Sequence, residues 1–169
     1  MYAKGLNSGL FKAWQKRRKM KTKVSKILSL LLITAIMALS LTACFGGVDK
    51  DGFCTVVLAD GDKTEEYSVD LTKVTGDNGL YSVLEAMQAE GMPLVFDSYG
   101  MLASVGSLNP DSSAHEYIRI YTSVESDFDV SDWFAETEYK GVRLGTSGFG
   151  ASDMQVVDGG IYYLAIETW

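Results

Sequence analysis

The first residues that offer chemistry are Leu41-Thr42-Ala43-Cys44, which have the form of a bacterial lipobox. Small residues at this edge suit a signal peptidase, which would cut before Cys44. The cysteine sulfur would then carry a diacylglyceryl group. Two acyl chains anchor firmly, because each buried methylene adds about 0.8 kcal/mol and one chain alone binds only marginally. The motif predicts that Cys44 is lipidated with fatty acids such as palmitate.

The segment ahead of Cys44 has the composition of a lipoprotein signal peptide. Residues 1–43 contain nine Lys or Arg and no Asp or Glu. Their apolar run, Ile27 to Leu41, has 15 residues, whereas a membrane-spanning helix needs about 20. Cleavage is therefore favoured over an uncleaved anchor. Met20 offers an alternative start of ordinary signal length. Either way, the domain is expected at the extracytoplasmic face of the cell membrane.

The mature chain, residues 44–169, is strongly acidic. It holds all 22 Asp and Glu but only six of the 15 Lys and Arg, a formal charge of −16. This charge excludes nucleic-acid binding by phosphate neutralisation. Anionic headgroups also repel it, so membrane attachment depends on the lipid. Residues 44–53 are expected to form a lipidated tether, and residues 54–169 suit one domain.

No motif of the mature chain has the form of an enzyme active site, a cofactor site or a metal centre. Gly145-Thr146-Ser147-Gly148 lacks the lysine and the spacing of a phosphate-binding loop. His115, the single histidine, gives zinc no ligand set and is expected at the surface. With Cys44 lipidated, Cys54 has no disulfide partner and is expected as a small buried residue of the first strand. The sequence thus predicts a protein that is not an enzyme.

Four acidic residues resemble the ligand spacing of a calcium loop. Glu125, Asp127, Asp129 and Glu136 lie at offsets one, three, five and twelve. Position six is Val130, where the sharp turn of such a loop needs glycine. A solvated acidic loop is therefore favoured, and a looser, weak calcium site stays open as an alternative.

The aromatic residues of the mature chain offer a second kind of site. Aromatic rings provide a large contact area at low entropic cost and suit flat ligands. An alternative is that most of these rings belong to the core or to strand faces. The candidates for such a surface are Tyr99, Tyr117, Tyr121, Trp133, Phe134 and Phe149.

The elements that must position these residues follow from periodicity. A β-branched run, a turn at Asp60-Gly61 and an alternating run predict an opening hairpin over residues 54–59 and 64–71. Apolar residues at helical spacing predict one helix from Leu80 to Glu90, capped by Asp77 or Asn78. Further strands are predicted over residues 99–105, 116–124, 141–144 and 161–167, with 125–140 as a polar connection. One helix across one mixed sheet is an α+β fold of β-grasp-like arrangement.

Short motifs from the helix to the last strand resemble the transcobalamin carboxy-terminal-domain-like family of bacterial surface lipoproteins. The resemblance covers residues 54–168, and Gly160 stands where the family has a second aspartate in a late turn. The motifs that carry it are Gly79-Leu80-Tyr81-Ser82-Val83-Leu84, Ser98-Tyr99-Gly100, Tyr117-Ile118-Arg119-Ile120-Tyr121, Gly148-Phe149-Gly150-Ala151-Ser152-Asp153, Asp158-Gly159 and Ile161-Tyr162-Tyr163-Leu164-Ala165-Ile166.

The resemblance implies a domain related to the part of vitamin B12 carriers that covers the bound corrinoid. A corrinoid-like small molecule is then the leading ligand, and in such a binder His115 can reach the cobalt. An alternative is a cell-surface protein–protein interaction module with no small-molecule ligand, in which the aromatic residues are core and an exposed strand edge pairs with a partner. Both describe a lipid-anchored extracytoplasmic binding protein.

Overall fold

The structure is a computed structural model and describes residues 46–169. The predicted signal peptide and Cys44 lie outside these residues. Within them the chain forms one α-helix and eight strands, as predicted for an α+β fold. The helix α1 spans Gly79–Ala89, and the strands are β1 Phe53–Asp60, β2 Lys63–Asp70, β3 Leu94–Phe96, β4 Leu102–Val105, β5 Glu116–Thr122, β6 Glu136–Tyr139, β7 Val142–Thr146 and β8 Ile161–Thr168.

Six of the strands form one mixed sheet in the order β2-β1-β8-β5-β7-β6. The first and last strands, β1 and β8, lie side by side at its centre and run parallel. Their outer neighbours, β2 and β5, pair with them antiparallel. This centre has the β-grasp-like arrangement that the element order predicts. Strands β3 and β4 form a separate two-stranded sheet.

The helix packs against one face of the sheet and makes the core there. Leu80, Val83 and Leu84 of α1 are fully buried against Val56 and Leu164 of the central strands. The alternation of β5 is confirmed, because Ile118 and Ile120 pack against this core. The tyrosines and the arginine of β5 therefore face the other side of the sheet, which has no helix.

The predicted burial of Cys54 is confirmed. Its side chain is 1% exposed in β1, within the core. Burial raises the pKa of the Cys54 thiol to about 12, so the reactive thiolate is disfavoured at neutral pH. Cys54 acts as a packing residue.

The helix begins without the predicted side-chain cap. Asn78 is the N-cap residue, but its side chain makes no capping hydrogen bond. Its backbone N–H donates to Ser82 Oγ at 2.9 Å. The carboxylate of Asp77 instead accepts from Val48 N–H at 3.1 Å. Gly79, at φ +51°, occupies the first helical position. The backbone of Ala151 and Met154 lies close to it and restricts the path of the chain at the start of the helix.

Two strand predictions and one boundary differ from the structure. The strand predicted over residues 99–105 begins only at Leu102, because Asp97 folds the preceding residues into a turn by accepting from Tyr99 and Met101 N–H. The connection predicted over 125–140 contains β6, which pairs with β7 as an edge hairpin. Within the predicted tether, Val48 is buried and bridges Val156, so the folded domain begins before residue 54.

Candidate functional site

The face of the sheet opposite the helix, called here the open face, carries an ionic and aromatic cluster. Arg119 Nη1 on β5 lies 3.0 Å from Glu167 Oε2 on β8. The hydroxyl of Tyr121 donates to the other oxygen of Glu167. Burial, and then this hydrogen bond, raise the pKa of Tyr121 to about 12. The cluster is internally satisfied, which favours a structural role for Tyr121 over ligand contact.

The outer end of the open face is more accessible. The guanidinium of Arg119 lies 5.5 Å from the centroid of the Tyr117 ring. Trp169 packs against Tyr117 at 5.7 Å and against His115 at 5.4 Å between ring centroids. Trp169 is 71% exposed. The sequence did not predict this aromatic surface, which Arg119 contacts through a cation–π interaction with Tyr117. It is called here the aromatic end and consists of Tyr117, Trp169 and His115.

The hairpin β6–β7 curls over the middle of the open face. Tyr139 of β6 packs against Tyr163 of β8 at 5.8 Å between ring centroids. Its hydroxyl and Lys140 Nζ both reach Glu66 of β2, across the sheet. The hairpin therefore links β6 to β2, the two edge strands of the sheet.

The predicted aromatic residues do not form one surface. Tyr117 and Tyr121 lie on β5, but Tyr121 is only 6% exposed. Tyr99 lies in the turn before β4 and is 89% exposed, whereas Trp133 lies in the turn before β6. Phe149 lies in the loop after β7, half exposed. The structure gives no ring contact among these five residues, and the strand-face alternative describes Tyr121 best.

The carboxylates of the predicted calcium spacing take separate partners. Asp127 is buried, and its Oδ2 accepts from Gln155 N–H at 2.7 Å. Burial raises the pKa of Asp127, and this hydrogen bond opposes the shift. Asp129 caps the Ser131 turn, and Glu136 pairs with Arg143. Nowhere in residues 46–169 do three or more His, Cys, Asp or Glu side chains come close enough to hold a metal ion.

A groove runs along β2, an edge strand of the sheet, and is called here the β2 groove. It has a volume of about 590 Å³, within the roughly 300–1,000 Å³ of small-ligand sites. One wall is β2 and the other is the end of α1 with the loop that follows it. The groove is lined by Glu65, Glu66, Tyr67, Ser68, Val69, Met87, Glu90, Gly91, Met92, Pro93, Gly106 and Ser107.

A smaller depression of about 170 Å³ extends the groove toward the start of β1. It shares Ser68, Val69, Met87 and Glu90 with the first. Phe53 and Lys73 are on its outer rim, and Lys73 Nζ lies 3.8 Å from Asp70 Oδ2. The concave surface therefore follows β2 over most of its length.

The charge of the β2 groove is negative. Glu65 accepts a 2.6 Å hydrogen bond from the Tyr67 hydroxyl, which lowers the pKa of Glu65, and Ser107 adds to the effect. The pKa of Glu66 is also lowered, by hydrogen bonds from Lys140 and Tyr139 that hold its carboxylate on the open face. Both are ionised at neutral pH. Among the lining residues, Met87 and Met92 supply an adaptable apolar floor.

The groove residues were not predicted, because each has an ordinary role by itself. Glu66 belongs to the polar side of the alternation predicted for β2, and Met87 belongs to the apolar spacing predicted for the helix core. Met87 is indeed buried. The predicted opening hairpin was the one signal that could have indicated the groove. It pairs β2 with β1, and a strand that pairs on one side alone lies at the edge of its sheet.

None of the helices in residues 46–169 has the length and apolarity to cross a bilayer. No family model and no curated protein matches the chain. A protein from Ruminococcus gnavus ATCC 29149, described in its crystal structure with a suggested metal-binding role, is similar, with TM-score 0.47 and 18% identity over 70% of this chain and 99% of that one. Haptocorrin in complex with Cbi is similar with TM-score 0.46 and 14% identity, over 70% of this chain and 25% of haptocorrin. The ligands named for these two proteins are theirs and are not assigned to this chain.

Proposed function

We propose that this chain is a lipid-anchored extracytoplasmic binding protein, not an enzyme, and that it takes up its ligand in the β2 groove. The groove carries the proposal, because it combines about 590 Å³ of concave space with an unpaired strand edge. Its polar groups are carboxylates, serines and a tyrosine. His115, the single histidine, is not among the lining residues. This chemistry suits recognition of a cationic ligand by charge and hydrogen bonds.

The anchor is tested by metabolic labelling with a fatty-acid probe. The wild-type chain is expected to take up label in the membrane fraction, and Cys44→Ala is expected to lose it, because Cys44 is the proposed acceptor thiol. Cys54→Ala is the matched control, since Cys54 is the buried cysteine of β1. It should retain the label. Label that persists in Cys44→Ala would remove the anchor from the proposal.

A corrinoid-like ligand is the second candidate, and the aromatic end favours it. Trp169 and Tyr117 present exposed ring surface beside His115, the one imidazole that can coordinate a central metal. Of the aromatic residues predicted for such a surface, only Tyr117 belongs to the aromatic end, and His115, predicted to reach the cobalt, lies beside it. A planar ligand would stack on Trp169, with Arg119 near enough to contact a polar side group.

Titration of the full chain in detergent with hydroxocobalamin tests this candidate. In a background of Trp14→Phe and Trp133→Phe, saturable quenching of the fluorescence of Trp169 is expected. Trp169→Phe in the wild-type background should remove the saturable part of the quenching. His115→Ala should weaken binding by at least tenfold if the imidazole coordinates cobalt. Quenching that rises linearly without saturation would contradict the corrinoid assignment.

A further inference from the structure

The unpaired edge of β2 presents backbone groups to the groove. The two-residue turn Gly61-Asp62, with Gly61 at φ +59°, joins the paired residues Asp60 and Lys63. In an antiparallel ladder every second residue bonds the neighbouring strand. Counting from the turn, the N–H and C=O groups of Thr64, Glu66 and Ser68 point away from β1. Within residues 46–169 no strand lies beyond them, because β2 is at the edge of the sheet.

The shape of the groove fits one extended chain. The lining residues of β2 run from Glu65 to Asp70 across both depressions. At about 3.3 Å per residue, this wall is roughly 17 Å long. The end of α1 and the loop through Pro93 form the facing wall. A groove between an edge strand and a helix is the geometry in which proteins add a peptide as an extra strand.

The lining residues specify the chemistry of that chain. Glu65 and Glu90 are acidic, whereas the carboxylate of Glu66 is held on the open face by Tyr139 and Lys140. Lys73, the one cation among the lining residues, is paired with Asp70. Opposite charges across a groove favour encounter and fix register. The floor of methionines and Val69 accepts aliphatic side chains. Glu65 and Val69 have the same parity on β2, opposite Leu58 and Cys54 of the core, so the acidic and apolar groups lie on one side of the strand. Because every second side chain of an extended chain points to that side, a chain whose groove-facing residues alternate between basic and aliphatic satisfies both.

We propose that the β2 groove binds an extended, basic peptide segment of a partner protein, which pairs with β2 through its backbone. This inference rests on the proposed function and names the ligand class of the same site. Every second backbone amide of the peptide donates to β2, and its Lys or Arg side chains contact the groove glutamates. The overall charge of −16 in residues 44–169 accelerates encounter with such a segment.

The probe is a fluorescent eight-residue peptide whose groove-facing positions, every second residue, alternate between lysine and valine, with threonine between them. It is titrated into the full chain in detergent and followed by anisotropy. Saturable binding is expected, with slowed hydrogen exchange at the amides of Thr64, Glu66 and Ser68. The double variant Glu65→Gln and Glu90→Gln should weaken binding about fivefold to tenfold, as two exposed ion pairs of up to about 1 kcal/mol each allow. The control Glu125→Gln and Glu138→Gln removes the same charge outside the groove and should leave affinity unchanged.

Backbone pairing is separated from charge attraction by two peptides that are N-methylated at alternate positions. One set removes the amides that face β2 and should abolish binding. The other removes the amides that face solvent and should bind like the parent peptide. Equal affinity of both peptides, or equal loss in the groove and control variants, would overturn the proposal. The anchor is read by Cys44 labelling independently of this result, so the two failures are distinguishable.

Discussion

Replacing Gly79 with alanine is expected to destabilise the domain by about 3 kcal/mol or more, the sum of a left-handed backbone penalty and overpacking. Gly79 lies at φ +51° and is buried at the start of α1. A Cβ there would stand 2.3 Å from the carbonyl oxygen of Met154 and 2.9 Å from that of Ala151. These are backbone atoms, so the clash cannot be relieved by a side-chain rotation. Urea unfolding followed by far-ultraviolet circular dichroism measures the loss.

Gly61→Ala is the matched control for this prediction. Gly61 has nearly the same backbone angle, φ +59°, but a Cβ added there would meet nothing within 4 Å. It should therefore cost only the backbone penalty of about 1–2 kcal/mol. Similar losses in the two variants would show that the contact with the Met154 segment is not what demands glycine at position 79.

Removing the hydroxyl of Tyr162 is expected to cost about 2–4 kcal/mol, because two partners in the interior lose their hydrogen bond. The side chain is fully buried. Its hydroxyl donates to the Gln155 carbonyl at 2.7 Å and accepts from Val157 N–H at 3.1 Å. Burial also raises the pKa of Tyr162 far above its ordinary value, so the hydroxyl remains a donor at all physiological pH. Tyr162→Phe leaves the shape of the core unchanged and isolates this effect.

Tyr163→Phe, at the next position of β8, is the control for Tyr162→Phe. The Tyr163 hydroxyl has no hydrogen-bond partner within residues 46–169, and its ring packs against Tyr121 and Tyr139. Its loss should change the free energy of unfolding by less than about 0.5 kcal/mol. Thermal unfolding of both variants gives the comparison. Equal thermal unfolding midpoints for Tyr162→Phe and Tyr163→Phe would contradict the proposed stabilisation by the hydrogen bonds of the Tyr162 hydroxyl.

The elements of this fold were predictable where local periodicity decides them. The alternation of β2 and β5 and the helical spacing from Leu80 to Met87 each depend on residues within one segment. The strand β6 was missed because its sequence, Glu136 to Tyr139, is polar. It is a strand because β7 pairs with it at the edge of the sheet, which is a fact of tertiary structure.

The candidate site was less predictable than the fold, because it depends on segments far apart in the chain. The β2 groove joins a strand near residue 67, the helix end near 90 and a turn near 106. No short motif encodes that meeting. The predicted aromatic surface illustrates a second limit, because residue type alone does not place two residues together. Tyr99 and Trp133 lie in two unrelated turns, where they are 89% and 75% exposed.

The parallel pairing of β1 with β8 has a consequence for how the domain comes into being. Thr55 pairs with Ile161 and Ala59 with Ala165, so the centre of the sheet is closed by residues from opposite ends of the domain. The entropy of closing so long a loop must be lost before these contacts form. We therefore expect this sheet to assemble more slowly than a helical bundle of similar size, whose contacts are local. Synthesis begins at the amino end of the chain. The parallel pair of β1 and β8 therefore cannot form until β8, a strand of eight residues, is free to insert beside β1.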